Sequence, residues 1–242
     1  MSDKTKRRKY EPPKPSGADA AHLVVKTALS TIPTLGGPAA ELFAALVISP
    51  LERRRQAWME EIAEALRKLE KQGKVSIEEL QKDEGFIDTL LHASHAAMRT
   101  HQQEKRAALR NAVLNSTLPY PPDESLRLFF LSLVDQFTVW HLRLLKLFQD
   151  PKGWAKEHNC NYGSTLMGGL SSILEIAYPE LRNRRDFYDQ IWKDLYLKGL
   201  VNTESLHTTM TAIGLMAKRT TDLGDYFLKF IEEPEDLTNN GA

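Results

Sequence analysis

The 242-residue sequence has a single cysteine, Cys160, no net charge, and no uninterrupted apolar run of membrane-spanning length. Each absence removes a class of protein. One thiol cannot make an intramolecular disulfide, and such sparing cysteine use fits a reducing cytoplasm. A spanning helix needs about 18 or more consecutive apolar residues. The most apolar stretch, between Lys26 and Glu41, has fourteen residues and is interrupted by Pro33, Gly36, Gly37 and Pro38. A secretory signal places an apolar run directly behind its basic start, whereas KYEPPKPSGADA (9–20) stands there, so secretion is not expected. The phosphate loop Gly-x-x-x-x-Gly-Lys-Ser/Thr, the nucleophile elbow Gly-x-Ser-x-Gly and the zinc motif His-Glu-x-x-His are also missing. The sequence therefore nominates no catalytic residue, no metal ligand and no cofactor, and it favours a non-enzymatic role.

The charge that is present is unevenly spread. Residues 1–16 carry a net +4, residues 17–118 are neutral, and residues 119–242 carry −4, with Glu232, Glu233, Glu235 and Asp236 clustered. Only the basic start attracts a polyanion, and Lys6, Arg7, Arg8 and Lys9 are its candidates for contact with an anionic surface. Polar, basic and rich in proline, residues 1–18 are expected to form a disordered arm.

Beyond the arm, apolar residues recur at helical spacing. A first helix is expected over about 19–31 and a second over the stretch holding Ala39, Leu42, Phe43, Leu46 and Val47, with IPTLGGP between them as a turn. Ser49-Pro50-Leu51-Glu52 has the spacing of a capping box and opens a third helix carrying Trp58, Ile62, Leu66 and Leu69. Ser76 and Glu79 repeat that spacing ahead of a short helix, and a long one is expected from about 84 to 116. The prolines of LPYPPDE (118–124) end it and mark a domain boundary.

In the second half, helices are expected over 126–137, from Thr138 to Phe148, over 166–178, from an Asn183 cap to Gly199, and over 222–231, with KGWAKEHNCNYGS (152–164) as a loop. The threonine-rich stretch 201–220, broken by Gly214, reads as a short hairpin. Helix, helix, helix, hairpin, helix is a winged-helix order. The expected fold is mainly α: a basic arm (1–18), an antiparallel helical bundle (19–117), a linker (118–123), a winged-helix-like domain with a short β-hairpin (124–231), and an acidic flexible tail (232–242).

RTHQQEKRAALRNAVLNS (99–116), the proline break and FTVWHLRLLKLF (137–148) together resemble the Abi-alpha type of bacterial abortive-infection protein. The closing LVNTESLHTTMTAIGLMAKRTTDLGDYFLKFI (200–231) is similar to that family's final wing and helix, through Thr221, Leu223, Gly224, Phe227 and Leu228. Phe137-Thr138-Val139 departs from the family's Ser-Pro at the start of its helix, although Thr138 can still cap. The resemblance implies phage defence and a winged-helix-like end. It implies no defined chemistry.

Several constellations have a plainer reading. His92 and His95 have a metal-compatible spacing, but His101 and Glu104 fall on other faces of the helix, so they read as surface histidines. His158-x-Cys160 lacks a third orienting group. Arg182, Arg184 and Arg185 stand at the entrance of the expected recognition helix and are its candidates for nucleic-acid contact; Asp186, Asp189 and Asp194 along that helix oppose phosphate. Leu35, Gly36, Gly37, Leu42, Phe43 and Leu46 form the apolar hairpin, with three readings: core, a protein contact or, helped by the basic arm, a membrane contact. Core or protein contact is favoured because each helix is short and amphipathic. The expectation is an interaction or effector protein of bacterial anti-phage defence, cytoplasmic or peripheral at the inner membrane, working through a protein partner or self-association. The alternative is a DNA-binding regulator.

Overall fold

A computed structural model describes Leu42, residues 44–162 and residues 167–234. The chain divides into two units, residues 1–56 and 57–242. Lys6, Arg7, Arg8 and Lys9 of the arm, the hairpin residues Leu35, Gly36, Gly37 and Phe43, and the tail beyond Pro234 lie outside the described residues. The described chain is mainly helical, with one two-stranded antiparallel sheet.

In the first unit a π-helical turn, Ala44–Ile48, leads directly into α1 (Ser49–Lys71). Pro50 has no N–H to give to a carbonyl one turn back, and its ring crowds that carbonyl. A wider turn just before it relieves both problems without ending the helix. The α-helix begins at Ser49, where the capping-box spacing placed a start, and the π-helical turn precedes it directly.

In the second unit α1 buries Trp58, Ile62 and Leu69 and stops at Gly73, whose φ of +69° suits the left-handed helix end that glycine favours. Ser76 caps the short α2 (Ile77–Leu80) by accepting from the Glu79 amide at 3.3 Å, and Asp83 caps α3 (Glu84–Arg99) by accepting from Phe86 at 3.0 Å. The single helix expected over 84–116 is two helices. Thr100 is extended, and its hydroxyl accepts from the Gln102 amide at 3.1 Å, a local bond that competes with the helical one. The break allows α4 (Gln103–Asn115) to pack on α3 through buried Ala93, Ala96, Ala97, Ala108 and Ala112.

After the proline segment come α5 (Glu124–Gln136), α6 (Val139–Gln149) and α7 (Pro151–Glu157). The last corrects the loop expected over 152–164: Asp150 accepts from the Gly153 amide at 3.0 Å, Pro151 takes the first helical turn, and Trp154 is buried. Then follow β1 (Met167–Gly168), α8 (Leu170–Ala177), a 3-10 turn (Pro179–Leu181), α9 (Arg185–Leu197), β2 (Met210–Thr211), α10 (Ala212–Leu215) and α11 (Asp222–Ile231). The hairpin expected within 201–220 is different in detail. Met210–Thr211 pairs with Met167–Gly168 ahead of α8, α10 spans the expected break at Gly214, and a single antiparallel bridge joins Val201 to Thr220.

The linker expected at 118–123 lies inside the second unit, with α4 on one side of it packed against α11 on the other. Two asparagines one helical turn apart make that join. Asn111 Nδ2 donates to the Ile231 carbonyl at 3.0 Å, and Asn115 Nδ2 donates to the carbonyls of Phe230 and Glu232, each at 2.8 Å. Those carbonyls belong to the end of α11, where a helix leaves acceptors unpaired. At the other end of α11 a Cβ on Gly224 would lie 2.2 Å from the Leu200 carbonyl oxygen, so only glycine permits this approach.

Candidate functional site

A cleft of the second unit is built by α4, α6, α7 and α11, with Tyr178 from the end of α8. It encloses about 670 Å³, within the range of small-molecule sites. Its apolar floor is Leu142, Leu228 and Ile231, all buried. One wall is a ledge of rings. Trp154 and His158, one turn apart on and just after α7, stack at 4.1 Å; Tyr178 meets Trp154 edge-on at 5.4 Å and Trp140 at the same distance. Arg143, one turn beyond Trp140 on α6, lies 5.0 Å over that indole, a cation–π contact.

Electrostatics fix how these groups present themselves. Arg143 Nε donates to Glu104 at 3.0 Å and a second guanidinium nitrogen bonds the other carboxylate oxygen, which raises the arginine's pKa further. Burial pushes Tyr178 up to about 12, so it keeps its hydroxyl proton. His158 Nδ1 lies 2.9 Å from the Trp154 carbonyl, which assigns its proton to that nitrogen. On the rim, Lys146 pairs with Glu232 at 3.8 Å and Arg110 with Glu233 at 3.5 Å. This is recognition chemistry: flat rings, an apolar floor and an ordered charged rim.

His141, on the buried side of α6, ties the helix to its neighbours. Its Nδ1 accepts from the Thr138 amide at 3.1 Å, its Nε2 lies 3.5 Å from Asp194 of α9, and its ring stacks on Phe137 at 4.4 Å. Burial lowers its pKa below the ordinary 6.5, against the opposing pull of Asp194 and with a smaller push from Lys105. Below that value the unfolded chain binds a proton that the folded one refuses. Stability should therefore be full above pH 6.5 and fall as pH drops through the lower folded value. Urea midpoints from pH 8 to pH 5 check this: the wild-type curve should fall more steeply than that of His141→Gln.

The residues named from the sequence are found elsewhere. Leu42 and Leu46 are 61% and 66% exposed in the first unit. Arg182 and Arg184 lie in the turn ahead of α9 and Arg185 is its first residue, all three exposed, but each already has a local contact. Arg182 Nε donates to the Glu175 carbonyl at 3.2 Å, Arg184 lies 4.2 Å over the Phe187 ring, and Arg185 pairs with Asp189 at 3.4 Å. Asn183, expected to cap the helix, has φ +63° and sits in the turn, leaving Arg184 as the capping residue without a side-chain bond. Of the cleft residues, Trp154 and Glu157 were missed because 152–164 read as loop, His158 was weighed only beside Cys160, and Tyr178 stood unmarked at the end of an expected helix. The signal that finds them is Asp150-Pro151, an N-cap followed by proline.

No known protein family matches the chain, and neither a curated protein nor a solved structure does.

Proposed function

We propose that the protein is a non-enzymatic helical effector of bacterial anti-phage defence that works through protein contacts, self-association foremost, with peripheral membrane association through the same surface as its second arm. The observation that carries the reading is the exposure of Leu42 and Leu46, four residues apart and 61% and 66% exposed, at the end of the apolar stretch 35–46. Burying a leucine side chain is worth about 1.5–3 kcal/mol, so an apolar helical face left in water is a driving force for association. The defence context rests on the Abi-alpha resemblance. In this reading α6, α8 and α9, with the Val201–Thr220 bridge as the base of a wing, make up a winged-helix-like end that serves protein contact. Among the described residues no single helix is long and apolar enough to cross a membrane, and the bent pair α5–α6, which passes by composition, buries Leu131, Leu133, Leu142, Leu144, Leu145 and Leu147 in the core.

Plating phage on cells that express the protein tests the reading. Wild type should reduce plaque numbers, and Leu42→Asp with Leu46→Asp should restore them while changing the melting of the purified protein little. Equal protection by both, or none by either, counts against it. Flotation with anionic vesicles separates the membrane arm: binding lost in the double variant supports it.

The alternative is a DNA-binding regulator, favoured by three exposed arginines, Arg182, Arg184 and Arg185, at the entrance of α9. Nanomolar, sequence-specific duplex binding that disappears in Arg184→Ala with Arg185→Ala would put this reading first. Weak binding that the substitutions leave unchanged keeps it second.

A further inference from the structure

The charge balance of the 670 Å³ cleft points to a ligand. Four carboxylates line it, from Glu104, Glu157, Glu232 and Glu233. Three have cationic partners: Arg143 for Glu104, Lys146 for Glu232 and Arg110 for Glu233. Glu157, the last residue of α7, has no ion pair among the described residues, and its own helix end repels it because the dipole there is negative. A carboxylate in that position costs helix stability and returns none. It stands beside the Trp154–His158 ledge and above an apolar floor, so a positive charge near Glu157 could carry its apolar body into the cleft.

We propose that this cleft binds a singly charged organic cation, an ammonium or amidinium group on a compact apolar or aromatic body, with Glu157 as its counter-ion. The apolar body packs on Leu142, Leu228 and Ile231 beside the stacked Trp154–His158 pair, and the sign of the charge is set by Glu157. An anionic ligand would meet the uncompensated charge of Glu157 and is rejected. The cation can be a free amine or the side chain of a basic peptide, since both present the same group.

The test uses the full chain and its indole N–H signals in a nitrogen–proton spectrum, with the Trp154 signal assigned through Trp154→Phe. 2-Phenylethylammonium should shift that signal saturably, and 3-phenylpropionate, similar in shape and opposite in charge, should not. Glu157→Gln should weaken amine binding at least about tenfold while leaving the melting temperature unchanged or slightly raised, because the glutamate is exposed and opposes its helix dipole. An N-acetylated lysyl-phenylalanine amide in a second arm separates the sources: tighter binding than the amine assigns a peptide, weaker binding a free small molecule. No saturable shift with either cation, equal binding of the carboxylate, or unchanged affinity in Glu157→Gln overturns the proposal. None of these outcomes depends on Leu42 or Leu46.

Discussion

Phe130→Ala should cost about 3–5 kcal/mol, the range for truncating a phenylalanine in a packed core, and should unfold residues 57–234 in one step. Phe130 of α5 is fully buried and meets the rings of Tyr226, Phe227 and Phe230 of α11 at 5.8, 5.4 and 5.7 Å. Those partners lie at the far end of the chain, and α4 locks onto the same helix through Asn111 and Asn115. Removing the ring therefore opens a cavity where three helices meet. Urea unfolding followed by near-ultraviolet and far-ultraviolet dichroism checks this, with coincident transitions at a lowered midpoint and an unchanged slope. Separate transitions for the two halves of the chain would show that the proline segment divides domains.

Ile191→Asp is expected to be as damaging on the other side of the core. Ile191 is 4% exposed on α9, on the face it shares with Tyr188, Trp192 and Leu195, and α9 packs on α6. A carboxylate placed there is left buried without a partner, at a cost on the order of 3–5 kcal/mol. Burial would raise the new group's pKa in the folded state. The loss should then be fully expressed at pH 7 and shrink as pH falls through that raised value, the reverse of the His141 trend. Ile191→Val, which removes one methylene, should cost only about 0.5–1.5 kcal/mol. Equal melting of wild type and Ile191→Asp at pH 7 would remove α9 from the core.

The helical character was readable from the sequence because it rests on spacing. Trp58, Ile62 and Leu69 of α1 and Ile191 and Leu195 of α9 are buried at the positions their periodicity indicates. What failed was local competition that spacing does not encode. Thr100 breaks a run whose apolar pattern continues through it, because its hydroxyl offers the Gln102 amide another partner. The Ser49-Pro50 start signal does mark the beginning of α1, but nothing in the spacing announces the π-turn ahead of it. Asp150-Pro151 is a legible start signal, but it lies next to a glycine and a run of polar residues that look like loop. The cleft was harder still, since its walls come from residues 104, 143, 154, 178 and 231, and only tertiary packing brings them together.

The claim that the exposed apolar face drives association is tested most directly by sedimentation velocity of the full chain over a dilution series, beside Leu42→Asp with Leu46→Asp. Wild type should sediment as a concentration-dependent assembly and the double variant as a monomer with unchanged dichroism. A wild-type protein that stays monomeric at every concentration, or a variant that associates as strongly as wild type, would contradict it.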